Sequence, residues 1–177
     1  MGPNNTVLVF EVVGLDPAAE RAVWEWIAGI DLVGHIKGQR GPVPHPLMLQ
    51  LTEPRRLGLT VREGMWLRLI DMRAALEARS YGAAGSLTFE LTDEFCPWNA
   101  GRWQLDVAGD GRGRLTASDA EPDLTLDTAD LATVYLGTFT FANLARAGRV
   151  GECRPGAVAE VDRLFAAAGA PWSSTMF

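Results

Sequence analysis

The chain has 177 residues, enough for one large or two small domains with a substantial buried core. A hydrophobic content of 47% and a charged content of 21% are typical of an ordinary soluble globular protein. The net charge is −6 and no basic stripe with interleaved aromatic residues occurs, so nucleic-acid binding is not expected. No apolar run approaches the ~20 residues of a membrane span. No secretory signal precedes the first strand-like run, so we expect a cytoplasmic protein.

The first part of the chain, residues 1–64, contains three predicted elements. Residues 6–13 are rich in valine and phenylalanine and predict a strand. Asp16 and Pro17 predict the N-cap and the first turn of a helix, and a second, short helix is expected at 47–51. Because one strand and two helices have no sheet of their own to cover, this part is expected to need a partner.

The second part, residues 65–177, predicts more regular structure. Strands are predicted at 66–70, 87–92, 102–107, 114–117 and 124–126. Helices are predicted at 72–79, 128–136, 140–147 and 155–168. The glycine-rich stretch 109–113 joins two strand-like runs and predicts a hairpin turn. Strands followed by helices indicate an α+β fold, with the helices on one face of a mostly antiparallel sheet.

The chain ends on a bulky apolar residue, Phe177, which is unusual for a terminus. Trp172 and Phe177 can bury together, which would hold the main-chain carboxylate of Phe177 in place. Burial disfavours the charged form, so the pKa of this carboxylate would rise from its usual value near ~3.5 toward the range of a useful base. The alternative is an apolar C-terminal segment that docks for stability alone.

Several other polar residues have two interpretations. Asp71 precedes a predicted helix and is either its N-cap or a carboxylate that faces a cationic substrate. Asp93 is expected to end a strand on its solvated side. Cys96 has no nearby base and is expected to be a buried structural thiol. His35 and His45 lack a clear third ligand, so surface or loop histidines are expected and no metal site.

A long ordered set of motifs runs through the chain. It consists of Ala22-Val-Trp24, Ile30-Asp-Leu32, Glu53-Pro-Arg55, Met65-Trp-Leu-Arg-Leu-Ile-Asp71, Leu91-Thr-Asp-Glu-Phe-Cys-Pro-Trp-Asn-Ala-Gly-Arg-Trp103, Tyr135-Leu-Gly137 and Gly148-Arg-Val150. This set resembles the enhanced intracellular survival (Eis) acetyltransferases. In that family, a catalytic acetyltransferase (GNAT) domain is followed by a second acetyltransferase-like domain and a sterol-carrier-protein-like domain.

The resemblance implies that residues 1–64 belong to the second acetyltransferase-like domain and residues 65–177 to the sterol-carrier-like domain. The chain is then the C-terminal half of an N-acetyltransferase, its partner is a missing N-terminal acetyltransferase domain, and the full-length form is a homo-oligomer. The terminal carboxylate is the family's general base, a role that falls here to Phe177. Asp71 and Trp172 are the candidate substrate-binding residues, and the acceptor is an amine of the aminoglycoside or lysine type.

Acetyl-CoA is the co-substrate that the resemblance implies. A backbone loop that opens a helix holds the pyrophosphate in that family, because its N–H groups and the helix N-terminus attract anions. The stretch 109–113 predicts a hairpin and the stretch 146–151 a helix C-cap, so this chain alone is not expected to bind acetyl-CoA.

Two other functions fit the same sequence. A free-standing sterol-carrier-like module could bind an apolar ligand between its sheet and its helices, with Phe139, Phe141 and Leu144 near the entrance. Alternatively, the chain could serve only to complete an oligomer, since its first part lacks a complete sheet. Fold analogy alone does not separate a lipid carrier from an accessory to catalysis.

Overall fold

The computed structural model describes residues 4–62, 64–167, 169 and 171–173. The chain forms two compact units. The first unit runs up to Gly64 and includes Trp172 and Ser173, and the second unit is Met65–Pro171. Each unit is described by itself below.

The first unit contains a two-stranded parallel sheet with helices. Its elements are β1 (Asn5–Val9), α1 (Pro17–Ala28), β2 (Val33–Gly38), α2 (Leu47–Gln50) and a 3-10 helix at Pro54–Leu57. The predicted N-cap of α1 is confirmed, because Asp16 Oδ1 accepts a hydrogen bond of 2.8 Å from Ala19 N. The first strand is shorter than expected, because its pairing with β2 ends at Val9 opposite Gly38. Sequence reasoning missed β2, which carries polar residues and glycines and little alternation.

The second unit confirms the predicted α+β fold with a mostly antiparallel sheet. Its elements are α3 (Met72–Ala78), β3 (Gly85–Thr92), β4 (Gly101–Val107), β5 (Gly113–Ala117), β6 (Leu124–Asp127), α4 (Thr128–Tyr135), α5 (Phe141–Arg146), β7 (Gly151–Glu152) and α6 (Ala157–Phe165). The strand order is β5-β4-β3-β6-β7, and only the pair of β3 and β6 is parallel. The predicted hairpin between β4 and β5 is confirmed, and Ala108 N donates to Arg112 O across it at 3.0 Å.

The predicted strand at 66–70 is wrong. This segment has no regular structure, although its sequence alternates like a strand. An isolated extended segment gains no ladder hydrogen bonds, and none of the five strands of the sheet pairs with it. Side chains from elsewhere in the unit bind its main chain instead, as described below.

The core of the second unit lies on one face of the sheet. Alternate residues of β3 (Leu87, Phe89 and Leu91) are buried, as strand geometry requires for a half-covered sheet. Phe141 and Leu144, which were expected near a ligand entrance, are core residues, and Phe139 is exposed. The cavity beneath the helices is about 10 Å³, which is room for roughly one water molecule and no lipid.

Arg79 joins the ends of three helices in this unit. Its guanidinium lies 4.2 Å from the centre of the Phe165 ring and also faces Tyr81 and Tyr135. It donates to Tyr135 O at 2.9 Å and to Phe165 O at 3.2 Å, so the C-terminal ends of α4 and α6 are held beside α3. Burial lowers the pKa of this guanidinium from its usual value.

Candidate functional site

Two of the motifs that carry the Eis resemblance meet in one corner of the second unit. Asn99 is buried and binds the main chain on both sides of Asp71. Its Nδ2 donates to Leu69 O and to Ile70 O, each at 3.2 Å, and its Oδ1 accepts from Met72 N at 3.1 Å. The Asn99 side chain therefore ties the end of the irregular segment that precedes α3, and these hydrogen bonds take the place of strand pairing there.

Asp93 supports Asn99 from the end of β3. Its carboxylate accepts hydrogen bonds from Cys96 N at 2.8 Å, Phe95 N at 3.1 Å and Asn99 Nδ2 at 3.0 Å. It also forms an ion pair with Arg68. The prediction that Asp93 lies on the solvated side is wrong, because only 1% of its side chain is exposed. An Asx turn at a strand end, followed by proline, is the local signal that could have indicated this role.

The ionised form of Asp93 is strongly favoured in this corner. Burial by itself raises the pKa of the carboxyl group, but the hydrogen bonds from Asn99 and Cys96 and the charge of Arg68 outweigh it and lower the pKa to about 2. A carboxylate held so firmly in its charged form is unsuited to act as a general base near neutral pH. Asp93 therefore stays ionised near neutral pH, and its hydrogen bonds and ion pair give it a structural role in this corner.

Aromatic side chains stand on the outside of this corner. Trp98 donates through Nε1 to Ile70 O at 2.8 Å, and its ring is exposed. The Arg68 guanidinium lies 5.0 Å from the centre of the Phe95 ring, which is exposed as well. We refer to Phe95 and Trp98 below as the aromatic rim. Exposed aromatic faces attract organic cations.

Asp71 is the N-cap of α3, as one of its two interpretations predicted. Its Oδ1 accepts from Ala74 N at 2.9 Å, which satisfies one of the free N–H groups of the first helical turn. The residue is exposed, and it follows Ile70, whose carbonyl oxygen binds Trp98. A role in substrate binding is compatible with the cap, because a carboxylate has a second oxygen. That role stays a prediction.

The other two predicted site residues belong to the C-terminal segment. Phe177 lies outside the described residues, so the structure gives no position for its carboxylate. Trp172 is 39% exposed and belongs to the first unit, whereas Asp71 belongs to the second. The roles of Trp172 and Phe177 therefore remain predictions.

The remaining candidates are two cysteines and two histidines. Cys96 is a buried free thiol, as expected, and Cys153 is an exposed one. His45 accepts from Leu47 N through Nδ1 at 3.2 Å, and His35 lies exposed in β2. In the described parts of the chain, no group of three or more His, Cys, Asp or Glu residues is arranged to hold a metal ion.

Neither glycine-rich stretch forms the start of a helix. Gly111 lies in the hairpin with a φ of 76°, and Gly148 follows α5 with a φ of 72°. Both angles are in the left-handed region that glycine adopts without a steric penalty. Neither stretch therefore presents a helix N-terminus of the kind that holds a pyrophosphate. No helix in the described part of the chain has the length and apolar character of a membrane span.

Comparison with known families matches both parts of the chain. The model of the sterol carrier protein domain matches residues 72–174, and the model of an acetyltransferase (GNAT) domain matches residues 1–69. The chain thus covers both kinds of domain. The expectation that it is only the C-terminal half of an enzyme, lacking an acetyltransferase domain, has no support in these matches.

Individual relatives point to the same group. An uncharacterized N-acetyltransferase of Streptomyces avermitilis is 41% identical over 97% of this chain and 42% of its own length. N-acetyltransferase Eis of Mycobacterium tuberculosis is 34% identical over 80% of this chain and 34% of its own length. This chain therefore spans less than half the length of the curated relatives it matches.

Solved structures agree with the sequence matches. The crystal structure of Eis1 from Mycobacterium abscessus superposes with a TM-score of 0.83 and 35% identity, over 97% of this chain and 43% of the other. A GCN5-related N-acetyltransferase from Anabaena variabilis superposes with a TM-score of 0.75 and 27% identity, over 93% and 42%. The chain belongs to the sterol carrier protein domain family, and the part before that domain matches an acetyltransferase (GNAT) domain.

Proposed function

We propose that this chain forms the acceptor side of an acetyl-CoA-dependent N-acetyltransferase that acts on amines of the aminoglycoside or lysine type. The observation that carries the proposal is the match to a GNAT domain and a sterol carrier protein domain in one chain, shared with N-acetyltransferases of the Eis type. Acetyl-CoA is the co-substrate that this family implies. We further propose a cytoplasmic location and a homo-oligomeric assembly.

The corner around Asp71 is the part of the second unit best suited to receive an amine. The acceptor amine is mostly protonated at neutral pH, with a pKa near ~10 in lysine. An ammonium group would be attracted by the exposed Asp71 carboxylate and by the faces of the aromatic rim. Asn99, which is itself held by Asp93, binds the main chain on both sides of Asp71, so this carboxylate needs little reorganisation on binding.

The terminal carboxylate of Phe177 would then act as the general base. The ammonium must lose a proton before its nitrogen can attack the thioester carbon of acetyl-CoA. The Phe177 carboxylate accepts that proton, directly or through one water molecule, and assistance of this kind is typically worth ~10²–10⁴ in rate. The new bond joins the amine nitrogen to the acetyl carbon as the carbon–sulfur bond breaks. The second proton of the nitrogen passes to the leaving thiolate, so coenzyme A is released as the free thiol.

The first unit would dock onto an acetyl-CoA-binding acetyltransferase domain. Its two-stranded sheet is smaller than an independently stable sheet. Large apolar side chains are exposed around it, including Phe10 at 65%, Trp26 at 71% and Leu49 at 94%. Apolar surface of this extent indicates an interface. We propose a further acetyltransferase (GNAT) domain as the occupant of this surface, because the chain spans less than half the length of the curated relatives it matches.

The test is acetyl transfer to kanamycin and to Nα-acetyl-lysine, measured as release of coenzyme A. The chain is assayed alone and together with an acetyltransferase (GNAT) domain supplied as a separate polypeptide. We expect turnover only in the mixture, and calorimetry should detect no saturable acetyl-CoA binding to the chain alone. Turnover by the chain alone would contradict the need for a second domain, and no turnover in a mixture that associates would contradict the function.

Two variants separate the proposed roles within that mixture. Deletion of Phe177 moves the terminal carboxylate by about 3.5 Å and should reduce kcat by ~10²-fold or more. Asp71→Asn keeps a good N-cap but removes the charge, so it should raise KM with little effect on stability. Full activity after deletion of Phe177 would remove the base assignment. An unchanged KM for Asp71→Asn would remove the binding assignment.

A further inference from the structure

The sheet of the first unit has an open edge along β1. β1 pairs with β2 on one side, and no other strand of the described residues lies on its outer side. The register of this pair is irregular between Asn5 and Thr6 and regular from Thr6 to Val9. A strand without an outer neighbour presents a row of main-chain N–H and C=O groups that can pair with another extended segment.

The hydrogen bond at the end of β1 shows which main-chain groups face this open edge. Val9 O accepts from Gln39 N at 3.0 Å, so the main chain of Val9 faces β2. Successive residues of a strand direct their main-chain groups to opposite sides, and a residue of a parallel pair directs its N–H and its C=O to the same side. Val7 therefore faces β2 as well, whereas the N–H and C=O groups of Thr6 and Leu8 face the open edge.

The two outer edges of this sheet differ in how well they are protected against pairing. β2 carries Lys37 and two glycines, and lysine and weak strand formers discourage pairing at an edge. β1 has neither a charged residue nor a proline, and residues 6–10 are a run of strong strand formers. Leu8 and Phe10 in this run are 51% and 65% exposed. Such an edge is prone to association unless another strand covers it.

The geometry of the edge selects the kind of partner. Only an extended main chain places donors and acceptors at the spacing of a strand edge. This chain spans 42% of the Streptomyces avermitilis relative, so more than half of that protein lies outside the matched part and can supply such a strand. A sheet of two strands is also smaller than an independently stable one, and an added strand would enlarge it.

We propose that the open edge of β1 pairs, main chain to main chain, with a strand of the further acetyltransferase (GNAT) domain. The N–H and C=O groups of Thr6 and Leu8 form this pairing, and the sheet of the first unit continues into that domain. The pairing rests on the proposed function, in which that domain is the partner. It differs from docking of apolar side chains alone, because it satisfies main-chain groups of β1 that otherwise depend on water.

The experiment is amide hydrogen exchange of the ¹⁵N-labelled full chain, followed by NMR, alone and with the separately supplied acetyltransferase (GNAT) domain. In the chain alone, the amides of Val7 and Val9 should exchange slowly because they face β2, and those of Thr6 and Leu8 should exchange fast. In the complex, exchange at Thr6 and Leu8 should slow by about tenfold or more, since each amide gains a main-chain acceptor.

The other outcomes overturn the pairing in distinguishable ways. A complex that catalyses acetyl transfer while Leu8 still exchanges fast would support the proposed function and contradict the pairing at the edge. Protection of Leu8 that grows with the concentration of the chain alone would indicate a second copy as the occupant. Protection at every concentration would indicate a segment of the same chain. If no complex forms, the proposed partner is wrong and the pairing is wrong with it.

Two substitutions at Leu8 separate main-chain pairing from side-chain packing. Leu8→Pro removes an N–H that faces the open edge and not β2, so it should weaken association with the GNAT domain by about tenfold. Leu8→Val is the matched control, because it keeps the N–H and an apolar side chain, and the affinity should change less than about threefold. Slow exchange at Val7 verifies that β1 is still formed in each variant. Equal affinities of the two variants would overturn the pairing. If Leu8→Pro does not fold, the exchange of Leu8 in the natural chain decides alone.

Discussion

The two units of this chain differ in how completely they bury their apolar residues. In the second unit, one continuous core extends from Leu69 to Phe165 and includes every strand of the sheet except β7. In the described part of the first unit, only Val9 and Ile27 are buried apolar residues. Large apolar side chains such as Leu15 and Leu49 are almost fully exposed there. The second unit can therefore be stable by its own packing, whereas the first unit encloses too few apolar residues for that.

The reason lies in the size of the two sheets. Five strands with alternating apolar residues present one broad face that helices can cover. Two parallel strands present a narrow face, and parallel strands are normally buried on both sides. The first unit therefore has the apolar content of a core but too few layers of its own to enclose it.

The largest expected effect comes from truncating the core of the second unit. Leu105 is fully buried in β4, so Leu105→Ala leaves a cavity and should lower the free energy of unfolding by about 3–5 kcal/mol. Urea denaturation followed by circular dichroism measures this loss. Leu49→Ala in the first unit is the matched control and should change stability by less than about 0.5 kcal/mol, because that side chain is exposed. Equal losses of stability in the two variants would contradict the difference in burial between the two units.

The next effect tests the polar corner of the second unit. Asp93→Ala leaves Arg68 and three hydrogen-bond donors without their acceptor and should cost about 3 kcal/mol at pH 7. Asp119→Ala is the surface control. A loss below about 1 kcal/mol would mean that water replaces the carboxylate and that the corner is less closed than its burial indicates.

The same carboxylate gives a pH dependence of known sign. Its folded-state pKa of about 2 is below the ordinary value of 3.8, so the contribution of Asp93 is fully present above pH 4. It is lost as the pH falls through about 2, because the unfolded chain binds the proton more readily. Urea midpoints between pH 2 and pH 5 should rise with pH in the natural chain and rise less steeply in Asp93→Asn. Parallel slopes would contradict the assignment.

A smaller effect is expected at the hairpin between β4 and β5. A Cβ at Gly113 would lie 2.5 Å from the ring of Tyr81, a core residue, so Gly113→Ala should cost about 1–3 kcal/mol. Gly109→Ala, in the same turn, meets no atom within 4 Å and should be nearly neutral. Thermal denaturation of both variants measures the difference. Similar melting temperatures would show that the Tyr81 ring can move aside.

The smallest effect separates capping from binding at Asp71. Asp71→Ala removes the N-cap of α3 and should cost about 1 kcal/mol, whereas Asp71→Asn should cost only a few tenths. Chemical denaturation of the two variants provides the measurement. If both lose the same stability, the charge of Asp71 matters to the fold as well, and the Asn variant no longer isolates substrate binding.

The elements that the sequence predicted correctly are those with local signals. The caps at Asp16 and Asp71 and the hairpin at 109–113 depend on residues within a few positions of one another, and all three are confirmed. The strand at 66–70 was wrong because alternation is also compatible with an irregular segment held by distant side chains. β2 was missed because its pairing with β1, across α1, defines it more than its own composition does.

The same distinction between local signals and distant contacts applies to the candidate site. Asp71 was identified from its place before a helix, but the parts of its corner, Asp93 and Asn99, come from a segment more than twenty residues later. Their sequence indicated a turn and did not indicate which main-chain groups that turn would bind. The cavity beneath the helices could not be judged from sequence either, because side-chain packing closed it to about 10 Å³.

The sequence by itself determined the α+β class, the caps, the hairpin and the presence of acetyltransferase (GNAT) and sterol carrier protein domains, because each rests on local patterns or on an ordered set of motifs. The tertiary structure decided which apolar residues are enclosed, which carboxylates are buried and which strand edge remains open. Those properties depend on contacts between residues far apart in the chain, and their energies follow from burial and hydrogen-bond geometry in the folded state. Asp93 was an ordinary acidic residue in the sequence and became distinct only when the fold enclosed it.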